Sequence, residues 1–189
     1  MTRYSISQPV TQVEAPRLVT GQGRYTDDVT LPRQAYAFFL RSPYAHADIM
    51  QMNTSAAKAM PGVLTVLTGA DYAEEGLGQL TGGSPVKRRD GSQMYRPDRP
   101  AMTRDRVYHI GQSVAIVVAE TINQAKDAAE AIEIDYNPLP AHIDTATAND
   151  PATPLMHDDC PDNEAVYAEL GDKAAVDAAL ADASHVVRE

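Results

Sequence analysis

A chain of 189 residues is long enough for one domain with a proper core, or one domain plus a tail, whereas two full domains would be cramped. Its net charge of -10 argues against a nucleic-acid binder, because duplex binding rests on neutralising phosphates. Cys160 is the only cysteine, which excludes an internal disulfide and a cysteine-built metal or iron–sulfur site within the chain and fits a reducing, cytoplasmic setting.

Residues 1–16 are polar, carry two prolines and show no periodicity, so an extended N-terminal arm is expected. No early apolar run follows the first arginine, and nowhere do about 18 uninterrupted apolar residues occur, so neither a secretory nor a membrane-spanning segment is expected. In residues 17–28, Gly21-Gln22-Gly23 looks like the opening of a dinucleotide loop. A third glycine is missing, with Thr26 in its place, and no buried strand precedes it, so a turn with glycines at positive φ is expected instead.

Residues 35–42, AYAFFLRS, read as a strand. Pro43 then stops regular pairing within Arg41-Ser42-Pro43-Tyr44-Ala45-His46 and puts Tyr44 and His46 on an irregular connection. A histidine near an arginine can be catalytic, but the motif supplies no nucleophile or carboxylate, so a structural role is the expectation. Residues 48–52 alternate as a strand does. Asn53 or Thr54 can cap a short helix through Met60 that Pro61-Gly62 ends, and residues 63–67 read as another strand.

Residues 81–100, with three glycines and three prolines, read as a long surface excursion. From residue 87 to 106 there are seven basic and three acidic residues, leaving 9 basic and 23 acidic elsewhere, or -14. A solvated loop is the expectation for this basic stretch, with a docking surface for an acidic partner as the lesser reading.

The best-punctuated stretch spans residues 106–140. Residues 113–119 form an uncharged run of valine, isoleucine and alanine, expected as a strand buried on both faces. Thr121 and Gln124 have capping-box spacing, and Ile122, Ala125, Ala129 and Ile132 make a narrow stripe expected to face a sheet. Residues 133–136 alternate as a second strand that Asn137-Pro138-Leu139-Pro140 ends. The same order of strand, cap, alanine-rich helix and strand recurs loosely around Asn53-Thr54 and Gly171-Asp172.

Beyond Pro140 the texture turns to Pro, Thr, Ala and Asp. His157-Asp158-Asp159-Cys160 puts four ligand-type residues in a row, but consecutive side chains diverge and the spacing matches no common zinc motif, so no metal is expected there. Strands are expected at residues 164–170 and 184–189, around a helix at residues 173–183 with Val176, Ala179, Leu180 and Ala183 as its stripe. No closing element follows Val187-Arg188-Glu189, as if the polypeptide continued.

Five segments carry a resemblance. They are TGQGRYTDD at residues 20–28, LRSPYAHADI at 40–49, MPGVLTVLTGADY at 60–72, the unit at 106–140, and Pro154-Leu155-Met156-His157. In this order they resemble the N-terminal region of the molybdenum hydroxylase large subunit, the family of xanthine dehydrogenases, aldehyde oxidoreductases and aerobic carbon monoxide dehydrogenases. The resemblance implies an α+β fold, the α/β hammerhead, at residues 17–143. Residues 144–189 would then be a connection leading to molybdenum-binding domains. It also implies an oxidoreductase that hydroxylates an aldehyde, a heteroaromatic ring or carbon monoxide with oxygen from water, using molybdopterin together with iron–sulfur and flavin (FAD) partners. The family's molybdopterin contacts and catalytic glutamate have no matching position here, so no catalytic, cofactor-binding or metal residue is named. Arg41, Ser42, Pro43, Tyr44, His46, Gly111 and Gln112 are candidates for lining a domain interface. Two other readings stay open: a separately encoded small subunit that docks on a molybdenum-binding partner, and a free-standing acidic binding domain that reuses the fold.

Overall fold

The computed structural model describes residues 12–80, 82 and 85–187. Most of the expected arm lies outside them, and its described end is not extended, because Ala15 and Pro16 open a short helix, α1 (Ala15–Val19), with proline in its first turn. Of the two glycines that follow, Gly21 has φ 71 while Gly23 is not in the left-handed region.

Six strands form two three-stranded antiparallel sheets. The first has the order β1 (Tyr36–Arg41), β5 (Ser113–Ala119), β3 (Val63–Thr68), and the second the order β4 (Arg106–Val107), β2 (Ala47–Asn53), β6 (Glu133–Pro138). Two helices carry the chain between them. α2 (Ser55–Lys58) takes it from β2 to β3, and α4 (Ile122–Glu130) takes it back from β5 to β6. The recurring strand, helix, strand pattern is therefore real in its first two copies, and each copy crosses from one sheet to the other. A further helix, α3 (Gly69–Glu74), follows β3. The sequence reading passed over it, although Thr68 and Asp71 stand at capping-box spacing and make both reciprocal bonds.

The core lies where α4 crosses the first sheet. Ala115, Val117 and Ala119 of β5, Val66 of β3, Ala57 of α2 and Ala125, Ala128 and Ala129 of α4 are fully or almost fully buried together. Small alanine side chains let the helix axis approach the sheet closely, so the contact is made of methyl groups rather than long rotamers. Thr121 Oγ1 accepts the Gln124 N–H at 3.2 Å, as a cap should, but its hydroxyl donates to Gln124 Oε1 at 2.9 Å. The amide side chain thus turns to the cap hydroxyl instead of the cap backbone, and only half of the expected box forms. Ile122 was expected on the buried stripe but is exposed, with Ala128 in its place. A second cluster, Ala47, Val107 and Val114, fills the space between the sheets. It shares Leu40, Met52 and Ile134 with the first, so the two cores are continuous.

β5 is central in its sheet but is not buried on both faces as expected. Residues paired across antiparallel strands share a face. Phe38, Val117 and Val66 lie on the α4 side, and Phe39, Ile116 and Leu67 make a row on the other. That outer row is uncovered, with Phe39 40% and Leu67 42% exposed.

Past residue 140 the expected strands at 164–170 and 184–189 do not form among the described residues; the first makes only isolated backbone bonds, Tyr95 N–H to the Ala165 carbonyl and Tyr167 N–H to the Lys87 carbonyl, each 2.9 Å. A β-pattern without a neighbouring edge to continue it stays irregular. The last helix, α5 (Lys173–Ala181), does form behind the Asp172 cap, but its stripe of Val176, Ala179, Leu180 and Ala183 is exposed along its whole length.

Candidate functional site

Because β1 and β5 are antiparallel neighbours, the loop leaving β1 and the loop entering β5 must lie side by side, and Arg41 pairs in register with Ser113. Gly111, at φ 82, makes a turn that an L side chain would strain. Its N–H donates to the Ser42 carbonyl at 2.8 Å, and the Ser42 N–H donates to the Gln112 carbonyl at 2.9 Å. Arg41 Nη1 reaches across to the Gly111 carbonyl at 2.9 Å and Ser113 Oγ at 3.3 Å, while its guanidinium lies 5.9 Å from the centre of the Phe39 ring. Gln112 Oε1 accepts the Tyr108 N–H at 2.7 Å. Buried Ser42 accepts the Tyr44 N–H at 3.0 Å, and the Tyr44 ring packs at 4.9 Å on Tyr136. The sequence-chosen residues Arg41, Ser42, Tyr44, Gly111 and Gln112 therefore form one network. Pro43 lies exposed beside it.

His46 turns away to a second cluster. Its Nδ1 lies 2.7 Å from the Pro140 carbonyl, and since a carbonyl only accepts, Nδ1 carries the proton. Nε2 is buried without a partner. The ring stacks at 5.6 Å on Tyr108, Tyr108 stacks at 4.3 Å on His157, and His157 packs at 5.6 Å against Tyr95. Four rings from four separate segments thus make one column. Sequence reasoning did not single out Tyr95 or Tyr108, for which the available signal was their place as aromatics in a polar, basic stretch.

The electrostatics of the column oppose charge within it. Burial lowers the pKa of His157, against the pull of Asp159 and Asp158, with His46 and Arg106 adding to the lowering. Burial raises Tyr108, with Arg106 acting the other way. Burial, then the hydrogen bond to Asp159, pushes the Tyr95 phenol far up. Arg106 is held charged chiefly by Asp48, whose Oδ1 lies 2.5 Å from its Nε, and it also reaches Asp158 at 3.2 Å.

The run at residues 157–160 has its four side chains dispersed to four partners. His157 joins the column, Asp158 pairs with Arg106, Asp159 accepts the Tyr95 hydroxyl, and the Cys160 thiol donates to Asp162 at 3.8 Å while burial raises its pKa. Among the described residues no three of His, Cys, Asp and Glu come together to hold a metal ion, so this donor set does not fit a resident metal. The basic stretch is largely solvent-exposed, as expected of a solvated loop, and it is also paired. Its acidic counterpart lies in the same chain, with Arg88 on Asp162 and Arg89 on Glu164. No helix among the described residues is long and apolar enough to cross a membrane.

This geometry offers a hydrogen-bonded corner, a column of stacked rings and a bare apolar sheet face. Residues 20–140 match the model of the aldehyde oxidase and xanthine dehydrogenase a/b hammerhead domain. The carbon monoxide dehydrogenase large chain of Afipia carboxidovorans is 36% identical over 190 residues, which cover 94% of this chain and 22% of that protein. The xanthine dehydrogenase molybdenum-binding subunit of Escherichia coli O157:H7 is 36% identical over 129 residues, 68% of this chain and 17% of that one. The solved structure of reconstituted CO dehydrogenase from Oligotropha carboxidovorans superposes with TM-score 0.71 at 35% identity, over 93% of this chain and 22% of that one. The chain thus spans about a fifth of the length of the relatives it matches, and it belongs to the aldehyde oxidase and xanthine dehydrogenase family, whose α/β hammerhead domain it carries.

Proposed function

We propose that this chain serves as the α/β hammerhead part of the molybdopterin-binding large subunit of a molybdenum hydroxylase, and that it is a scaffold rather than a reaction centre. Residues 17–143 would be the domain and residues 144–189 the connection to the molybdenum-binding part. When bound there, molybdopterin would supply oxidative hydroxylation of an aldehyde, an N-heterocycle or carbon monoxide with oxygen from water. Iron–sulfur and flavin subunits would take the electrons, in a cytoplasmic complex. The corner of Arg41, Ser42, Pro43, Tyr44, Gly111 and Gln112, with His46 behind it, would line the contact with neighbouring domains.

The observation that carries this reading is the uncovered row of Phe39, Ile116 and Leu67 on the outer face of the first sheet. A sheet face of that kind gains free energy when covered, at about 25 cal/mol per Å² of apolar surface. Arg41, poised over Phe39, ties the corner to that face. The test is to purify the 189-residue chain and measure its molybdenum content and its turnover of an aldehyde, an N-heterocycle and carbon monoxide with a dye as electron acceptor. Neither molybdenum nor turnover is expected; bound molybdopterin with turnover would overturn the reading.

A further inference from the structure

The excursion after α3 and the acidic run after Met156 meet along a seam of opposite charge. Arg88 pairs with Asp162, and Arg89 pairs with Glu164 at 3.3 Å while its guanidinium lies 3.9 Å over the Tyr167 ring. The Tyr95 hydroxyl donates to Asp159. Two backbone bonds run along the same seam, from the Tyr95 N–H to the Ala165 carbonyl and from the Tyr167 N–H to the Lys87 carbonyl, each 2.9 Å. Beside these pairs the same two segments enclose a cavity of about 310 Å³, lined by Met94, Tyr95 and Pro97 from one and by Met156, Cys160 and Val166 from the other.

We infer that the seam is an ionic latch: charge pairing holds residues 85–100 and residues 157–167 closed together around the cavity, and loss of that pairing opens them as a unit. Little apolar burial secures either strand of the seam otherwise, since none of residues 85–100 and only Cys160 of residues 157–167 is buried. Arg88 is sheltered on the basic side and Glu164 on the acidic side, with side chains 19% and 18% exposed, so the pairs are partly shielded from solvent. Partly shielded pairs acting together hold more than isolated surface ones, yet they remain sensitive to salt. The latch is independent of any molybdenum chemistry, because both of its halves lie in this chain.

The test reads hydrogen-exchange protection of the Tyr95 and Tyr167 amides, with the Val117 amide in the central strand as reference. In the wild-type chain, raising NaCl to about 1 M shortens the screening length to about 3 Å and should lower protection of the two seam amides about threefold, leaving Val117 unchanged. Reversing the basic side, Arg88→Glu with Arg89→Glu, should lower it about tenfold, and adding Asp162→Arg with Glu164→Arg should restore it. Seam amides indifferent to both salt and reversal would overturn the latch, as would a four-residue swap that fails to restore protection while Val117 stays protected. None of these readouts depends on a cofactor or partner, so failure here leaves the proposed scaffold role standing.

Discussion

α4 and α5 are alike in length and capping and opposites in the fold. Each is nine residues long, rich in alanine, and begins behind a side-chain cap, Thr121 in one and Asp172 in the other. α4 buries Ala125, Ala128 and Ala129, whereas α5 buries nothing and leaves Val176 55% and Leu180 51% exposed. The difference lies in what stands at their ends. α4 is strung between β5 and β6, so its flanking strands press it onto the first sheet, while α5 has no strand at either end among the described residues. An alanine stripe contributes stability only when a surface is brought to it.

That contrast is broken most directly by a charge. Val117→Asp places a carboxylate without a partner under α4, where the valine is fully buried, and should abolish the cooperative unfolding transition in urea. Leu180→Asp in α5 should change stability by no more than about 0.5 kcal/mol. Equal effects at the two sites would mean that α5 is packed after all. Overpacking gives a gentler version. Ala128→Leu should destabilise by about 1–3 kcal/mol because the helix cannot back away from the sheet, whereas Ala179→Leu should be neutral in the same denaturation assay.

The caps sharpen the comparison further. Thr121 Oγ1 and Asp172 Oδ1 each accept a backbone N–H, at 3.2 and 3.0 Å. Thr121→Ala should lower global stability by about 1 kcal/mol, since α4 is part of the core. Asp172→Ala should leave the global unfolding midpoint where it is and remove hydrogen-exchange protection from α5 alone.

The readable part of this molecule is the part whose elements carry their own signals. β5 and α4 announced themselves through an uncharged β-branched run and a threonine cap, and the structure has them at residues 113–119 and 122–130. Chain connectivity, by contrast, has no local code. That α4 leaves one sheet and enters the other depends on which strands pair, and pairing is decided by residues such as Tyr36 and Ala119, which stand far apart in the chain. The same limit explains the two strands expected near the end. Val166 and Val186 have the right residue type, but β-structure needs a partner edge, and a propensity cannot supply one. The corner was legible only as a resemblance, in the motifs around Arg41 and Gly111. The ring column was not, because Tyr95, Tyr108 and His157 meet only after three loops have folded together.

The ring column stands between the two extremes, and its pH dependence is the smallest effect and the finest probe. Burial lowers the His157 pKa, so the folded chain favours the neutral imidazole. Its contribution is complete above the ordinary histidine value of about 6.5 and is lost as the pH falls below that toward the lowered folded value. Asp158 and Asp159 soften the loss by attracting the proton, while His46 and Arg106 deepen it. His157→Phe keeps an aromatic face against Tyr108 and removes the titration. The wild-type chain should therefore lose more stability between pH 7 and pH 5 than this variant does, measured by urea unfolding at each pH. Identical pH slopes would place His157 on the side of α5, touching its neighbours without being held by them. A steeper wild-type slope would place it with α4, where a neighbour's contact has thermodynamic weight.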